Sequence, residues 1–326
     1  MHPAFSVIFL TTLIGTGQGL FLALFTAQSY AAVDFVTINN PNQFYAYGSG
    51  IAMVLLIAGL ISSVFHLGHP ERAWRTAAMW RTSWLSREVI ALPLFMFIVF
   101  IYGMMHYLQW DPTVLVTKQP LQGQLSLYVG ILGTVLGFVL FICTAMIYAC
   151  IKFLQEWHSP LTVINYILLG TASGFTLATA YSAIIEPELV TLYGTWATII
   201  TLTAFISRAA SLIRNKRIKH KSSIQTAIGV RHSHIQQKSM GMMGGSFNTR
   251  EYFHGAKTCF VRSMKWIFLL MVFVLPVILI TTGMKSGNIN ILIFAFIVQY
   301  IGLLAERWFF FAQANHPQNL YYQTVG

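Results

Sequence analysis

The sequence predicts an all-α integral membrane protein, eight transmembrane helices in a bundle, with both termini on the same, cytoplasmic, face. Three observations predict it. Only 9% of the 326 residues are charged and 56% are hydrophobic, against about a quarter charged in a soluble domain. The chain therefore has too little polar surface to cover a water-soluble globule. Eight charge-free runs approach the roughly 20 residues a helix needs to cross ~30 Å of hydrocarbon. The basic residues also divide very unevenly between alternate connections.

The first run, Phe5–Ala31, is too long for a signal-peptide core and has no preceding Lys or Arg, so it reads as a retained span. Its Gly15-Thr16-Gly17-Gln18-Gly19 stretch is no dinucleotide fingerprint, because no strand precedes it. Small residues there let helices approach closely, with Gln18 bonding across the interface. Asn39-Asn40-Pro41 turns the chain into the second run, Phe44–Phe65, and the third, Val89–Tyr107, carries Pro93. Asp111-Pro112 precedes the fourth, Leu125–Ile151, in which Cys143 and Cys150 lie seven apart on one helical face as small packing residues.

Ser159-Pro160 opens the fifth run, Leu161–Ile184, whose Thr171, Ser173 and Gly174 again suggest close helix contact. Glu186-Pro187 leads into the sixth, Val190–Ser207. Residues 208–263 form a basic stretch with Gly241, Gly244 and Gly245 and no apolar period, expected to be a mobile cytoplasmic loop. The seventh and eighth runs, Trp266–Met284 and Ile289–Ala305, are joined by Ser286-Gly287-Asn288. No internal repeat and no second soluble domain is visible, so residues 1–326 read as one membrane domain.

With eight spans, the termini and every second connection share one face. That face collects eighteen Lys and Arg, twelve of them between Arg208 and Lys265, whereas the other has Lys118 and Lys285. The positive-inside rule places the basic face in the cytoplasm. The net charge of +11 is thus an orientation signal, and nucleic acid is not a partner. Three cysteines without tight spacing exclude an iron–sulfur cluster or structural zinc in this chain. All ten histidines fall at span ends or in connections, so a buried bis-histidine haem b is not expected; His66 and His158 are the only plausible couple.

The densest chemistry lies in residues 65–88, FHLGHPERAWRTAAMWRTSWLSRE, with two His, two Glu, four Arg and three Trp between two apolar runs. Ionisable groups beside hydrocarbon are costly and tend to mark a site. His66 and His69 are three apart, on one face if the helix continues that far. With Glu88, and with His2, His158 and Glu156 on the same membrane face, they could exchange protons with a quinone held in an apolar slot. The alternative is that Arg72, Arg75, Arg87 and Glu88 pair and fasten helix ends to headgroups. Trp74, Trp80 and Trp84 suit interface anchoring.

FHLGHPERAWR followed by TSWLSRE resembles the region between the second and third spans of DmsC-like anchor subunits, within the wider NrfD-like group. His66, Leu67, Gly68, Pro70, Arg72, Ala73, Leu85, Ser86 and Glu88 stand at the positions of that family's His-Leu-Gly-x-Pro-x-Arg-Ala and Leu-Ser-x-Glu elements. Span count and chain length fit over most of the chain. The resemblance implies a quinone- or quinol-interacting anchor in the bacterial cytoplasmic membrane. Its implied partners are a four-cluster, ferredoxin-like iron–sulfur subunit and a molybdopterin catalytic subunit. His66 matches a histidine implicated in quinol chemistry, and Arg72 and Glu88 match charged residues near it. His69 and the long basic connection depart from the pattern.

The cytoplasmic placement favours relatives that oxidise sulfite and pass electrons to quinone. The menaquinol-oxidising anchor of a DMSO reductase is the alternative. A polytopic transporter is a further one, suggested by Pro93 and Pro276 inside runs, but it lacks the mid-span charges such a site uses.

Overall fold

The computed structural model describes residues 1–115, 122–219, 222–235 and 254–317. Among the described residues, eight helices are long and apolar enough to cross a membrane. They are α1 (Phe5–Ala31), α2 (Pro41–Val64), α3 (Trp84–Tyr107), α4 (Leu125–Ala149), α5 (Pro160–Ile185) and α6 (Val190–Lys216). A short α7 (Ile224–Ile228) follows. The seventh span joins α8 (Thr258–Leu269) through a π turn, Leu270–Val274, to α9 (Leu275–Ser286), and α10 (Ile289–Ala312) completes the set. A two-stranded hairpin pairs β1 (Thr113–Leu115) antiparallel with β2 (Gln122–Gln124) between α3 and α4.

Helix starts carry ordinary capping chemistry. Pro41 and Pro160 occupy first-turn positions, where a missing N–H costs nothing. The side chains of Ser83, Ser159 and Asn288 accept from the backbone N–H of Ser86, Leu161 and Asn290. Inside the spans, threonine hydroxyls donate to carbonyls one turn back, as Thr16 does to Thr12 at 2.9 Å and Thr176 to Ala172 at 2.9 Å. That satisfies a polar group where no water reaches.

Several spans run further than charge-free reading suggests. α3 begins at Trp84, α6 continues through Arg208 to Lys216, the seventh span starts at Thr258, and α10 ends at Ala312. A charged residue stops a hydropathy run but not a helix, provided the charge is paired inside the bundle. The expected 208–263 loop is therefore partly helical: residues 208–216 and 258–263 belong to spans, and Ser223 caps α7. Gly241, Gly244 and Gly245 lie outside the described residues. Pro93 is absorbed within an unbroken α3, and Pro276 follows the π turn.

α1 is the central helix, with 78% of its most apolar window buried against 33–61% for the others. It packs against α5 at a glycine seam, as its small residues predict. Thr16 and Ser173 hydroxyls meet at 3.0 Å, and Gln18 Nε2 donates to the Gly137 carbonyl of α4 at 2.9 Å. A Cβ on Gly174 would lie 2.0 Å from the Gly19 carbonyl carbon. Gly174→Ala must therefore push the α1 and α5 backbones away from each other, and a loss of about 1–3 kcal/mol is expected. Gly50→Ala, with nothing within 4 Å of its Cβ, is the control; thermal unfolding in detergent compares them, and equal midpoints would contradict this account of the seam.

The two ends of the bundle are polar in different ways. At one end, Asp111 accepts from the N–H and hydroxyl of Ser126, Gln28 donates to Ser126 at 2.7 Å, and Tyr102 donates to Gln28 at 2.8 Å. His106 sits there too, against Asn42 at 3.3 Å. Fully buried Leu20, Phe21, Leu24, Phe95 and Val99 fill the middle. At the other end lie the N-terminus, the 65–83 connection and the end of α10. The Met1 ammonium donates to the Ala314 carbonyl at 2.8 Å. Burial lowers its pKa to about 6, against the raising effect of Glu156.

Candidate functional site

The connection after α2 does not continue the helix. Val64 is its last residue, and a 3-10 segment, Pro70–Met79, follows with no buried side chain. His66 and His69 therefore do not share a helical face. His69 Nδ1 lies 3.1 Å from Glu71 Oε1, and Arg72 Nε lies 3.7 Å from the same oxygen, all three well exposed. Among the described residues no hydrogen bond or ion pair joins His66, His69 or Arg72 to Glu88. Partial desolvation lowers the His66 pKa, opposed by a backbone hydrogen bond at Ser62, which leaves the imidazole neutral near pH 7.

Arginine and tryptophan pair along this rim. Arg75 lies over Trp74 at 5.6 Å, Arg81 over Trp80 at 5.4 Å and Arg87 over Trp84 at 4.2 Å. Arg87 also donates to the carbonyls of Trp80 and Arg81, each at 2.9 Å. Trp74 and Trp80 are exposed at this end of the bundle, and Trp84 is half-buried as the first residue of α3.

Glu88 behaves differently from its neighbours in sequence. It is 8% exposed and accepts a hydrogen bond from the Thr144 hydroxyl of α4 at 2.5 Å. It lines a small, partly open cavity with Thr11 and Thr12 of α1, Tyr166 of α5 and Arg307 of α10. The cavity holds about 20 Å³, room for a water molecule and far too small for a quinone ring.

Behind it lies an ionic cluster that the sequence did not disclose. Arg208 Nε is 2.8 Å from Glu306 Oε1, and Arg307 Nε is 3.3 Å from Glu306 Oε2, with all three side chains at most 5% exposed. Arg208 Nη1 also reaches Ser211 at 3.4 Å. Arg307 stacks on the Tyr166 ring at 3.8 Å, and that ring stacks on Tyr148 at a centroid distance of 5.7 Å. Glu88, Arg208 and Glu306 lie four, eight and six residues inside their helix ends, or roughly 6–12 Å in at ~1.5 Å per residue.

On the outer side of α3 and α4 runs an apolar groove of about 410 Å³, lined by Trp80, Trp84, Arg87, Ala91, Val139 and Cys143 among others. Its volume falls in the range of sites that hold small organic ligands. Groove and cavity are neighbours across one helix seam. Arg87 and Cys143 line the groove, while the next residues, Glu88 and Thr144, line the cavity. The Glu88–Thr144 hydrogen bond thus lies at the seam between an apolar slot on the outer side of α3 and α4 and a small, mostly apolar cavity to which Glu88, Thr144 and Arg307 bring polar groups.

Of the four site residues read from sequence, the structure buries Glu88 and leaves His66, His69 and Arg72 on the rim. Sequence reading missed Thr144, Tyr166, Arg208, Glu306 and Arg307. One signal was available: Trp308–Ala312, five apolar residues, follows Arg307, so the span had room to continue past the charges.

A family model described as DMSO reductase anchor subunit (DmsC) matches residues 1–322. The chain is also similar to a sulfite dehydrogenase subunit from Allochromatium vinosum, with 58% identity over 325 residues that cover 100% of both chains.

Proposed function

This chain belongs to the DmsC family of oxidoreductase membrane anchor subunits, and from that premise we propose that it exchanges electrons between an iron–sulfur partner and quinone, in a complex that oxidises sulfite. The observation that carries the quinone reading is the Glu88–Thr144 pair between the 410 Å³ groove and the internal cavity. The groove accepts the ring and the start of an isoprenoid tail from the hydrocarbon. Glu88, one residue beyond the groove-lining Arg87, supplies one proton, and His66 at the rim relays the second, its neutral imidazole first taking a proton from water and then passing it on. Quinone takes up two electrons from the iron–sulfur partner and these two protons to become quinol.

Full-length similarity to a sulfite dehydrogenase subunit supports the direction, from sulfite through a molybdopterin catalytic subunit and a four-cluster ferredoxin-like subunit to quinone. The basic face supports a cytoplasmic site in a bacterial cytoplasmic membrane. Exposed Arg72, Trp74 and Arg75 then lie where the partners dock or where headgroups begin.

A quinone analogue with a photoreactive ring tests the assignment in the assembled complex. Label is expected within residues 80–94 and 136–143, and excess unlabelled quinone should suppress it. Label confined to other helices would move the site elsewhere.

A further inference from the structure

The connection between α2 and α3 sorts its side chains into ridges. In a 3-10 helix, residues three apart stand over one another. Along Pro70–Met79 and the turn that follows, Arg72, Arg75, Ala78 and Arg81 therefore form one ridge. Trp74, Ala77 and Trp80 form the ridge beside it, joined to the first by the stacking of Arg75 on Trp74 and of Arg81 on Trp80. Glu71 is the one carboxylate between Phe65 and Arg87, against four arginines, and it is already shared by His69 and Arg72. Runs of 3-10 helix beyond three or four residues are uncommon, and this one has ten with no buried side chain. What holds it lies outside the bundle.

Trp80 marks the depth at which the ridges sit. It lines the apolar groove with Ile90, Ala91 and Leu94 of α3, and Arg87 donates to its carbonyl and to that of Arg81. The tryptophan ridge is thus fastened where the exposed apolar face of α3, with Ile90 and Leu94, begins. Trp74, 71% exposed, continues the same ridge. Indole at such a junction lies at headgroup depth, which sets the neighbouring guanidiniums level with lipid phosphates, and their planar forks fit phosphate oxygens in pairs. A soluble protein would reach Trp80 only at the hydrocarbon edge, where lipid already is.

We propose that the ridge of Arg72, Arg75 and Arg81 binds the phosphates of anionic phospholipid, whose acyl chains lie along the exposed face of α3, and so holds this connection at the membrane surface. The proposal depends on the membrane spans and not on the quinone reading.

The assembled complex, in neutral detergent, is titrated with a fluorescent phosphatidylglycerol and separately with the matching phosphatidylcholine, and binding is read by anisotropy. Preference for the anionic probe is expected to fall about fivefold for each arginine removed, and so most steeply in the triple variant Arg72→Gln, Arg75→Gln, Arg81→Gln. The triple variant Lys216→Gln, Arg217→Gln, Arg262→Gln, which removes three exposed cations at the same end of the bundle, should keep it. If the first triple variant does not accumulate in membranes, Arg75→Gln alone is read for its fivefold loss. An unchanged preference in the arginine variants would overturn the proposal, as would an equal loss in the control. Loss of the iron–sulfur partner from an arginine variant that does accumulate would also overturn it, since the ridge would then be a protein docking surface.

Discussion

Glu88→Gln is expected to lower quinone reduction by about 100-fold or more, the usual effect of removing a group that passes a proton to a reacting substrate. The substitution is close to isosteric, and its amide oxygen can still accept the hydrogen bond that Thr144 donates at 2.5 Å. The seam between groove and cavity should stay closed. What disappears is the exchangeable proton. Quinone-linked turnover, normalised to the amount of assembled complex, measures the effect, and a rate within a few-fold of the parent would remove Glu88 from the reaction. Thr144→Val separates the hydroxyl from the carboxyl. It leaves the buried carboxyl group short of a donor, and an unpaired buried polar group costs about 1–3 kcal/mol. Its main expected effect is on stability.

The largest effect on assembly is expected at Arg208. Its guanidinium is 1% exposed, bonded to Glu306 at 2.8 Å and packed over the Phe268 ring at 5.5 Å. Arg208→Met keeps the bulk and removes the charge. Breaking a buried ion pair by deleting one partner costs about 3–5 kcal/mol, because the other charge is left behind. Here that penalty is shared, since Glu306 also touches Arg307. Thermal unfolding in detergent and the yield of complex from membranes would report it. The double variant Arg208→Met with Glu306→Gln should recover some of the loss, as coupled neighbours do. Strictly additive losses would show that the two side chains do not act as a pair.

The eight spans were legible because hydropathy reports helices that lipid surrounds, and most of this chain is such helix. The glycine seam was legible for a related reason: Gly15, Gly19 and Gly174, with Gln18 and Ser173, make sense inside a membrane only as interhelical contacts, and the structure places them there. The ionic cluster was not legible. Arg208 and Glu306 are 98 residues apart in sequence, and each stands at the edge of an apolar run, where it looks like the first residue of a loop. Only packing shows that the helices carry on and that the two edges meet. The 65–88 segment misled in the opposite sense. Its residues look like one cluster in sequence, yet the end of α2 at Val64 and the start of α3 at Trp84 divide it. Glu88 goes into the bundle, and His66, His69 and Arg72 stay outside.

The central position of α1 also bears on how the protein is made. About 130 residues separate the end of α1 from the start of α5, so at ~5–20 residues per second α5 leaves the ribosome roughly 6–30 seconds after α1. Until then Thr16 lacks its partner Ser173, whereas Gln18 meets Gly137 somewhat earlier, once α4 is in place. α1 thus waits for its later neighbours with the Gln18 amide facing lipid or the insertion machinery, while the Thr16 hydroxyl falls back on the Thr12 carbonyl of its own helix. Premature contact between copies through the Gly15–Gly19 stripe is the misassembly that nascent chains of this fold have to avoid.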